Sequence, residues 1–382
     1  MAVALGIAAA VVAVNRRSPP EPVYKGKTVT AWARDMNTSD PLVRSNAALA
    51  LEAIGPYAVP VLVQSLDRRD SILKRLFLSL APKLPVWFRR SFIRAFRPFD
   101  AVNDRLAAVN ALGALGTNAP VRALTRALHD PERQIAVQAA TALGNIGKLA
   151  VPELIRALND KDGYVRSMAC YAISKIGPDA PGAAPVLIQR LTDSFVGIPA
   201  QAVDALGRIG RPAVVALSGA LKSPDEQVRA QAAHALGGMS VQAKDAAPAL
   251  IEATRDRQLA VRHNAVEALG NVWPFSAGSM TALADALKDS DADVRLQAAQ
   301  GLARASRLAA PVVPALAGAL NDPDPRVRAG AAHALGQIGP AAKPAVSALI
   351  EMLKDEEASV RGKAQEALTK IEPEAVPGAE VK

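Results

Sequence analysis

The chain has 382 residues, half of them apolar but only 4% aromatic, with one cysteine and a formal net charge of +9. A single cysteine excludes an internal disulfide framework, and the shortage of aromatics suits a thin, repetitive aliphatic core better than a thick globular one. The charge is local: residues 67–105 carry 10 basic and 4 acidic side chains, residues 106–382 carry 29 and 28, which argues against a basic nucleic-acid surface along the chain.

Residues 2–14 form an unbroken apolar run of 13, followed by Asn15, Arg16 and Arg17. That is short of the ~20 residues a spanning helix needs. It has the length of a signal-peptide core, without a basic segment before it. Two readings fit: a truncated signal or membrane anchor whose true start lies upstream, or a frayed apolar N-terminus. The stiff linker Ser18-Pro19-Pro20-Glu21-Pro22 favours the anchor, and residues 1–24 read as leader plus linker. This places the protein at a membrane or in an exported, envelope location, with the cytoplasm as the alternative.

From residue 25 to 371 the sequence repeats. With the Leu of a recurring Leu-Gly step as ruler, the units fall at Leu51, Leu112, Leu143, Ile173, Leu206, Leu236, Leu269, Leu302, Leu335 and Leu368. The first step is 61 residues and every later one 30 to 33, the period of a solenoid of short supersecondary units. Each unit reads as two helices. The first often opens with Pro, which suits a turn where an N–H has no partner. Turns such as Asn159–Asp160, Asp289–Ser290 and Asn321–Asp322 follow. The second starts beside a capping Asp, runs through alanines and stops at Gly55, Gly116, Gly147, Gly177, Gly210 or Gly339. No strand pattern competes. One hairpin cannot bury its own apolar stripe but stacked hairpins can, so the expected fold is an all-α superhelix of about ten helical hairpins.

The second unit is interrupted by an insertion over 67–103. It holds five of the seven phenylalanines, and Phe88, Phe92 and Phe96 share one helix face. Trp87, Arg89, Arg90, Arg94 and Arg97 accompany them, with no acid between Ser71 and Pro98. Three readings stand: a membrane-surface element, a partner clasp, and a structural helix docked on the first two repeats. Units from residue 119 on follow without comparable insertions. The third and fifth lack the usual Val-Arg pair, and the eighth lacks the glycines after Leu302; these read as local irregularities. Residues 372–382 read as a disordered tail.

The units, of which residues 321–339 (NDPDPRVRAGAAHALGQIG) are typical, resemble the HEAT-repeat family, most closely its bacterial branch of phycocyanobilin-lyase-like repeats. The resemblance implies a HEAT/armadillo-type solenoid and leaves the function open, since such folds host many. Residues 23–32, with Tyr24, Gly26, Lys27 and Trp32, resemble membrane-anchored relatives that carry a short apolar leader.

Polar columns complete the pattern. Arg44, Arg105, Arg166, Arg229, Arg262, Arg295, Arg328 and Arg361 recur at one repeat position, and an acid precedes six of the eight by four residues: Asp40, Asp162, Asp225, Asp291, Asp324 and Glu357. A ladder tracking a phosphate backbone is one reading. A weakly stabilising structural ladder, neutralised by those acids, is the favoured one. The position two before the ruler varies instead: Asn110, Thr141, Tyr171, Asp204, His234, Glu267, Gln300, His333 and Glu366, with Leu49 in the first unit. A fixed place with changing chemistry is what a partner groove looks like, and equally what surface drift looks like.

No catalytic set emerges. His234 and His333 are three units apart, too far to share a metal. The His-Glu pairs on which HEAT-fold metal hydroxylases are built are missing. Cys170 reads as a small buried thiol. No cofactor is expected. The leading expectation is a non-enzymatic scaffold, membrane-tethered, that binds a protein partner. An accessory lyase-like role and a nucleic-acid-binding HEAT-like role are the alternatives.

Overall fold

The computed structural model describes residues 21–68 and 101–375. The apolar leader, nearly all of the 67–103 insertion and residues 376–382 of the predicted tail lie outside them. Among the described residues, twenty α-helices pair into ten hairpins, as the ten rulers require. The hairpins group into two compact units, divided along the chain between Lys175 and Ile176. The fifth hairpin, one of those without the Val-Arg pair, is the first of the second unit.

The first unit opens on a feature the periodicity hid. Val23–Tyr24 and Lys27–Thr28 form a two-stranded antiparallel hairpin around Lys25 and Gly26, whose φ values are 48° and 76°. Two-residue strands have no alternation to read, so the expectation of no strand fails here. Trp32 Nε1 donates to the Tyr24 carbonyl oxygen at 3.0 Å, and the Lys27 ammonium lies 4.6 Å from the Trp32 ring centroid. The hairpins that follow are Val29–Asp35 with Pro41–Ile54, Val59–Leu66 with Ala101–Ala114, Val121–Ala127 with Arg133–Ile146, and Val151–Ala157 with Gly163–Ile176.

The excursion after Val59–Leu66 has fixed ends. Asp104, only 7% exposed, accepts Arg34 Nε and Nη2 on Oδ1 at 3.0 and 2.9 Å, and Arg68 Nη1 on Oδ2 at 2.9 Å. Arg68 stands at the start of the 67–103 excursion and Asp104 directly follows it. The ion pair joins Arg68 to Asp104, and Val59–Leu66 packs on Ala101–Ala114.

The second unit holds Ala184–Arg190 with Ile198–Ile209, Arg211–Ala220 with Glu226–Gly238, Ala247–Ala253 with Leu259–Asn271, Ala277–Ala286 with Ala292–Ala305, Val313–Ala319 with Pro325–Ile338, and Val346–Met352 with Ala358–Ile371. The predicted tail is held at its start: Glu372 pairs with Lys343 at 2.7 Å, and Pro373–Ala375 forms a 3-10 turn.

The local chemistry follows the sequence. Asp40, Asp225, Asp291 and Asp324 cap second helices by accepting backbone N–H groups two or three residues on. The stop glycines all have positive φ. Ser240 and Ser306 occupy the same place in the sixth and eighth hairpins at φ 48° and 52°. Each serine hydroxyl donates to a carbonyl at the end of the next second helix, Asn271 O at 3.2 Å and Gln337 O at 2.9 Å. Those bonds offset the strain of a left-handed non-glycine.

All ten ruler side chains are fully buried, each worth roughly 1.5–3 kcal/mol against exposure. Consecutive second helices approach backbone to backbone beside them. A Cβ on Gly336 would sit 2.9 Å from Ala367 Cα, and one on Gly237 would sit 3.0 Å from Ala268 Cα. At these positions the glycine after the ruler is thus a packing residue, distinct from the glycine that ends the helix, whereas Gly207 has open space around it.

Candidate functional site

Three polar systems lie on the second helices: an arginine ladder at their N-terminal ends, the variable column along their solvent side, and a pocket at their C-terminal ends.

The arginines find their carboxylates in a different place from the one expected. Arg105 pairs with Asp130, Arg229 with Asp256, Arg262 with Asp289, Arg295 with Asp322 and Arg328 with Asp355, each at 2.7–2.8 Å through Nε. The partner stands in the turn of the following hairpin, 25 residues on in the first case and 27 in the others. Nη2 makes the second bond to the same carboxylate, a bidentate fork. Nη1 holds carbonyls of the arginine's own turn, as in Arg295 to Asp289 O at 2.9 Å and Ser290 O at 3.2 Å. Arg166 and Arg361 make the same carbonyl clamp, and Arg44 donates to Thr38 O.

Five of the acids four residues earlier, Asp40, Asp162, Asp225, Asp291 and Asp324, are helix caps whose oxygens accept backbone N–H groups, and Glu357 stands at the cap position without such a bond. The pairs are also less exposed than a surface ladder: Arg105 is 3% and Arg229 7% exposed. Hydrogen bonds from Arg229 and Arg328 hold the carboxyls of Asp256 and Asp355 below their ordinary value. Burial pushes those of Asp289 and Asp322 up, but the arginine and turn N–H bonds outweigh it and both end lowered. Five guanidinium groups committed in this way are not presented to a phosphate backbone.

The variable column lies on the solvent side. In the first unit Tyr171 is exposed, and Asn110 and Thr141 are half-buried. Asn110 Nδ2 donates to Asn37 Oδ1 at 2.7 Å and the Thr141 hydroxyl donates to Val137 O at 2.9 Å, so both are engaged internally. Leu49, at the same place in the first hairpin, is 61% exposed. In the second unit Asp204, His234 and Glu366 are exposed, while Glu267, Gln300 and His333 are half-buried. Asp204 meets Arg208 and Glu366 meets Lys363. Burial, then the nearby Lys363 and Lys370, pushes the His333 imidazole below its ordinary value, so it is neutral at pH 7. His234, Glu267 and Gln300, on three successive second helices, have no side-chain hydrogen bond among the described residues and are free for a partner.

One turn beyond these three residues the surface opens into a pocket of about 360 Å³ lined by Gly237, Ser240, Gly270, Asn271, Trp273, Phe275 and Arg304. Its floor is bare because Gly237 and Gly270 must lack side chains for the helices to meet: a Cβ on Gly270 would stand 2.8 Å from Gly301 Cα. Its wall is aromatic. Leu259–Asn271 ends with Val272 in an extended conformation, and residues 272–276 leave the helix as an irregular linker where most other hairpins make 3-10 turns. Trp273 is 47% exposed and meets Phe275 edge to face, ring centroids 5.5 Å apart. Arg304 is exposed in the last turn of Ala292–Ala305 and has no ion pair among the described residues. Sequence reasoning passed over Trp273 and Phe275. Their signal was an aromatic pair in an aromatic-poor repeat, at a linker position that elsewhere carries Gly, Ala and Pro.

Groups with chemical potential are scattered. Among the described residues no three of His, Cys, Asp and Glu converge as a metal site. His129 bonds Asp160 at 2.9 Å in a turn, and Cys170 is buried. His234 and His333 stand on second helices three hairpins apart. Trp87, Phe88, Arg89, Arg90, Phe92, Arg94, Phe96 and Arg97, proposed from the sequence as a membrane or partner element, lie outside the described residues.

Comparison with known proteins bears on the fold. The HEAT repeats family model matches residues 121–207, 184–270 and 280–369, and the PBS lyase HEAT-like repeat model matches residues 43–68. No curated protein matches the chain. Solved structures of the karyopherin Kap121p are similar at low identity. A Kap121p mutant has 15% identity and a TM-score of 0.56 over 90% of this chain and 49% of that one. Kap121p bound to the extreme C-terminus of the phosphatase Cdc14p has 15% and 0.54 over 91% and 42%, and Kap121p bound to Nup53p has 16% and 0.53 over 90% and 45%. The chain thus spans about half the length of these karyopherins, and at such identities the likeness shows the fold.

Proposed function

The chain belongs to the HEAT-repeat family, and from that premise we propose that it is a non-enzymatic scaffold that binds a protein partner on the solvent side of its second helices and is held at a bacterial membrane by its N-terminus. The observation behind the binding face is the row His234, Glu267 and Gln300, uncommitted and continuous with the pocket of Trp273 and Arg304. Aromatic and arginine side chains at the centre of a desolvatable patch are the groups that carry interface energy. The solved karyopherins of similar fold are seen bound to protein partners, which supports the same use of the fold.

The tether rests on residues 2–14. Among the described residues one stretch, Pro41–Leu66, is long and apolar enough to cross a membrane by composition. Gly55 at φ 59° ends its first helix, and both halves pack into the first two hairpins, so that stretch belongs to the solenoid core.

Two experiments test the proposal. A photo-crosslinking side chain at Glu267 is expected to capture a discrete partner in cells, and one at Val215, exposed on a first helix, is not. Equal capture at both positions, or none at Glu267, sinks the scaffold face. Fractionation of the full-length protein tests the tether, and recovery only in the soluble fraction with an unprocessed N-terminus sinks that part.

A further inference from the structure

We infer that the Trp273–Arg304 pocket takes one short acidic segment of a partner protein, seating an apolar side chain between Trp273 and the glycine floor and a carboxylate on Arg304. The inference deepens the scaffold reading and rests on it.

The shape specifies the apolar part. A cavity of about 360 Å³ over Gly237 and Gly270, walled by Trp273 and Phe275, has room for one or two large side chains. Both glycines are fixed by the approach of the neighbouring helix, and Arg304 Nη1 lies 3.3 Å from where a Cβ on Gly270 would stand. An edge-to-face pair with one ring 47% exposed offers a flat apolar surface at little cost in side-chain freedom.

The charge specifies the rest. Arg304 is the single charged group in the lining, and no carboxylate lies within ion-pair distance of it among the described residues. This sets it apart from Arg229, Arg262, Arg295 and Arg328 of the same unit, each of which holds an aspartate. A guanidinium at the rim of an apolar pocket matches a carboxylate in two parallel hydrogen bonds. Ser240 already donates its hydroxyl to Asn271 O, which leaves the Asn271 side-chain amide to hold the segment's backbone.

The test uses the full chain and fluorescein-labelled short peptides: one with a central Leu-Phe flanked by Asp and Glu, one with Lys in place of every acid, and one with Ala-Ala in place of Leu-Phe. Fluorescence anisotropy should give saturable binding of the first peptide, weakening as salt rises. The other two peptides should bind about tenfold more weakly or worse, a single anchor's worth. Trp273→Ala and Arg304→Glu should each cost the first peptide a similar factor, with circular dichroism melts like the parent's. Arg304→Glu should in addition improve the Lys peptide.

Equal binding of acidic and Lys peptides, no binding of any peptide, or normal binding by both variants overturns the inference. The two readings can fail separately. Partner capture at Glu267 that is indifferent to Trp273→Ala defeats the pocket and leaves the scaffold, whereas equal capture at Glu267 and Val215 defeats the scaffold itself.

Discussion

Replacing Asp322 by Asn isolates what the inter-hairpin fork contributes. Asp322 sits in the turn before Pro325–Ile338 with 6% of its side chain exposed, and Arg295 with 12%. It accepts Arg295 Nε at 2.7 Å and Nη2 at 2.9 Å, and also the Asp324 N–H at 2.9 Å. Asn keeps the shape and one acceptor oxygen, removes the charge, and turns an NH2 group toward the guanidinium. Losing one partner of a buried pair costs about 3–5 kcal/mol. This pair lies at the solvent edge and Asn retains one bond, so the expected loss is about 2–3 kcal/mol.

For a unit of roughly 200 residues that corresponds to a fall in melting temperature of about 5–10 °C. Asp324, four residues before Arg328, is the control. It caps a helix, a task Asn performs equally well, and its only ion pair among the described residues is with the exposed Arg326, so Asp324→Asn should cost less than about 1 kcal/mol. Thermal melts followed by circular dichroism measure the difference, and hydrogen exchange should show the loosening in Ala292–Ala305 and Pro325–Ile338. The reasoning fails if the two substitutions cost the same, or if Asp322→Asn and Arg295→Gln are additive in the double variant, since a real fork makes them non-additive.

Three more outcomes are expected. Asp256, Asp289, Asp322 and Asp355 all have folded values below the ordinary carboxylate value; their contribution is complete above about pH 4 and lost as pH falls through the folded values, so acid melts should steepen below about pH 4 and Asp322→Asn should flatten that slope. Gly336→Ala should destabilise by about 1–3 kcal/mol because its Cβ meets the Ala367 backbone, whereas Gly362→Ala, with open space around the new methyl, should stabilise by about 0.5–1 kcal/mol in the same urea titration. Asp104→Asn should loosen both ends of the 67–103 excursion by uncoupling Arg34 and Arg68, a loss of about 3 kcal/mol read as faster hydrogen exchange in Val29–Asp35 and Ala101–Ala114.

The sequence by itself determined the hairpins. Leucines at a fixed period, prolines in first turns, aspartates at caps and glycines at stops each act within a few residues, and local chemistry of that range is written directly in the chain. It also placed the variable column, because a fixed repeat position implies a fixed face. What only the tertiary structure decided was which groups meet across hairpins. The arginine stands four residues from one acid and 27 from another, and distance along the chain favours the wrong one. Stacking brings the next turn's aspartate to the guanidinium while the nearer acid is used up on backbone N–H groups. The same holds for the glycine after the ruler, whose need for bareness comes from a neighbouring backbone. It holds most for Trp273 and Arg304, which are 31 residues apart and share a pocket only because two helices end side by side.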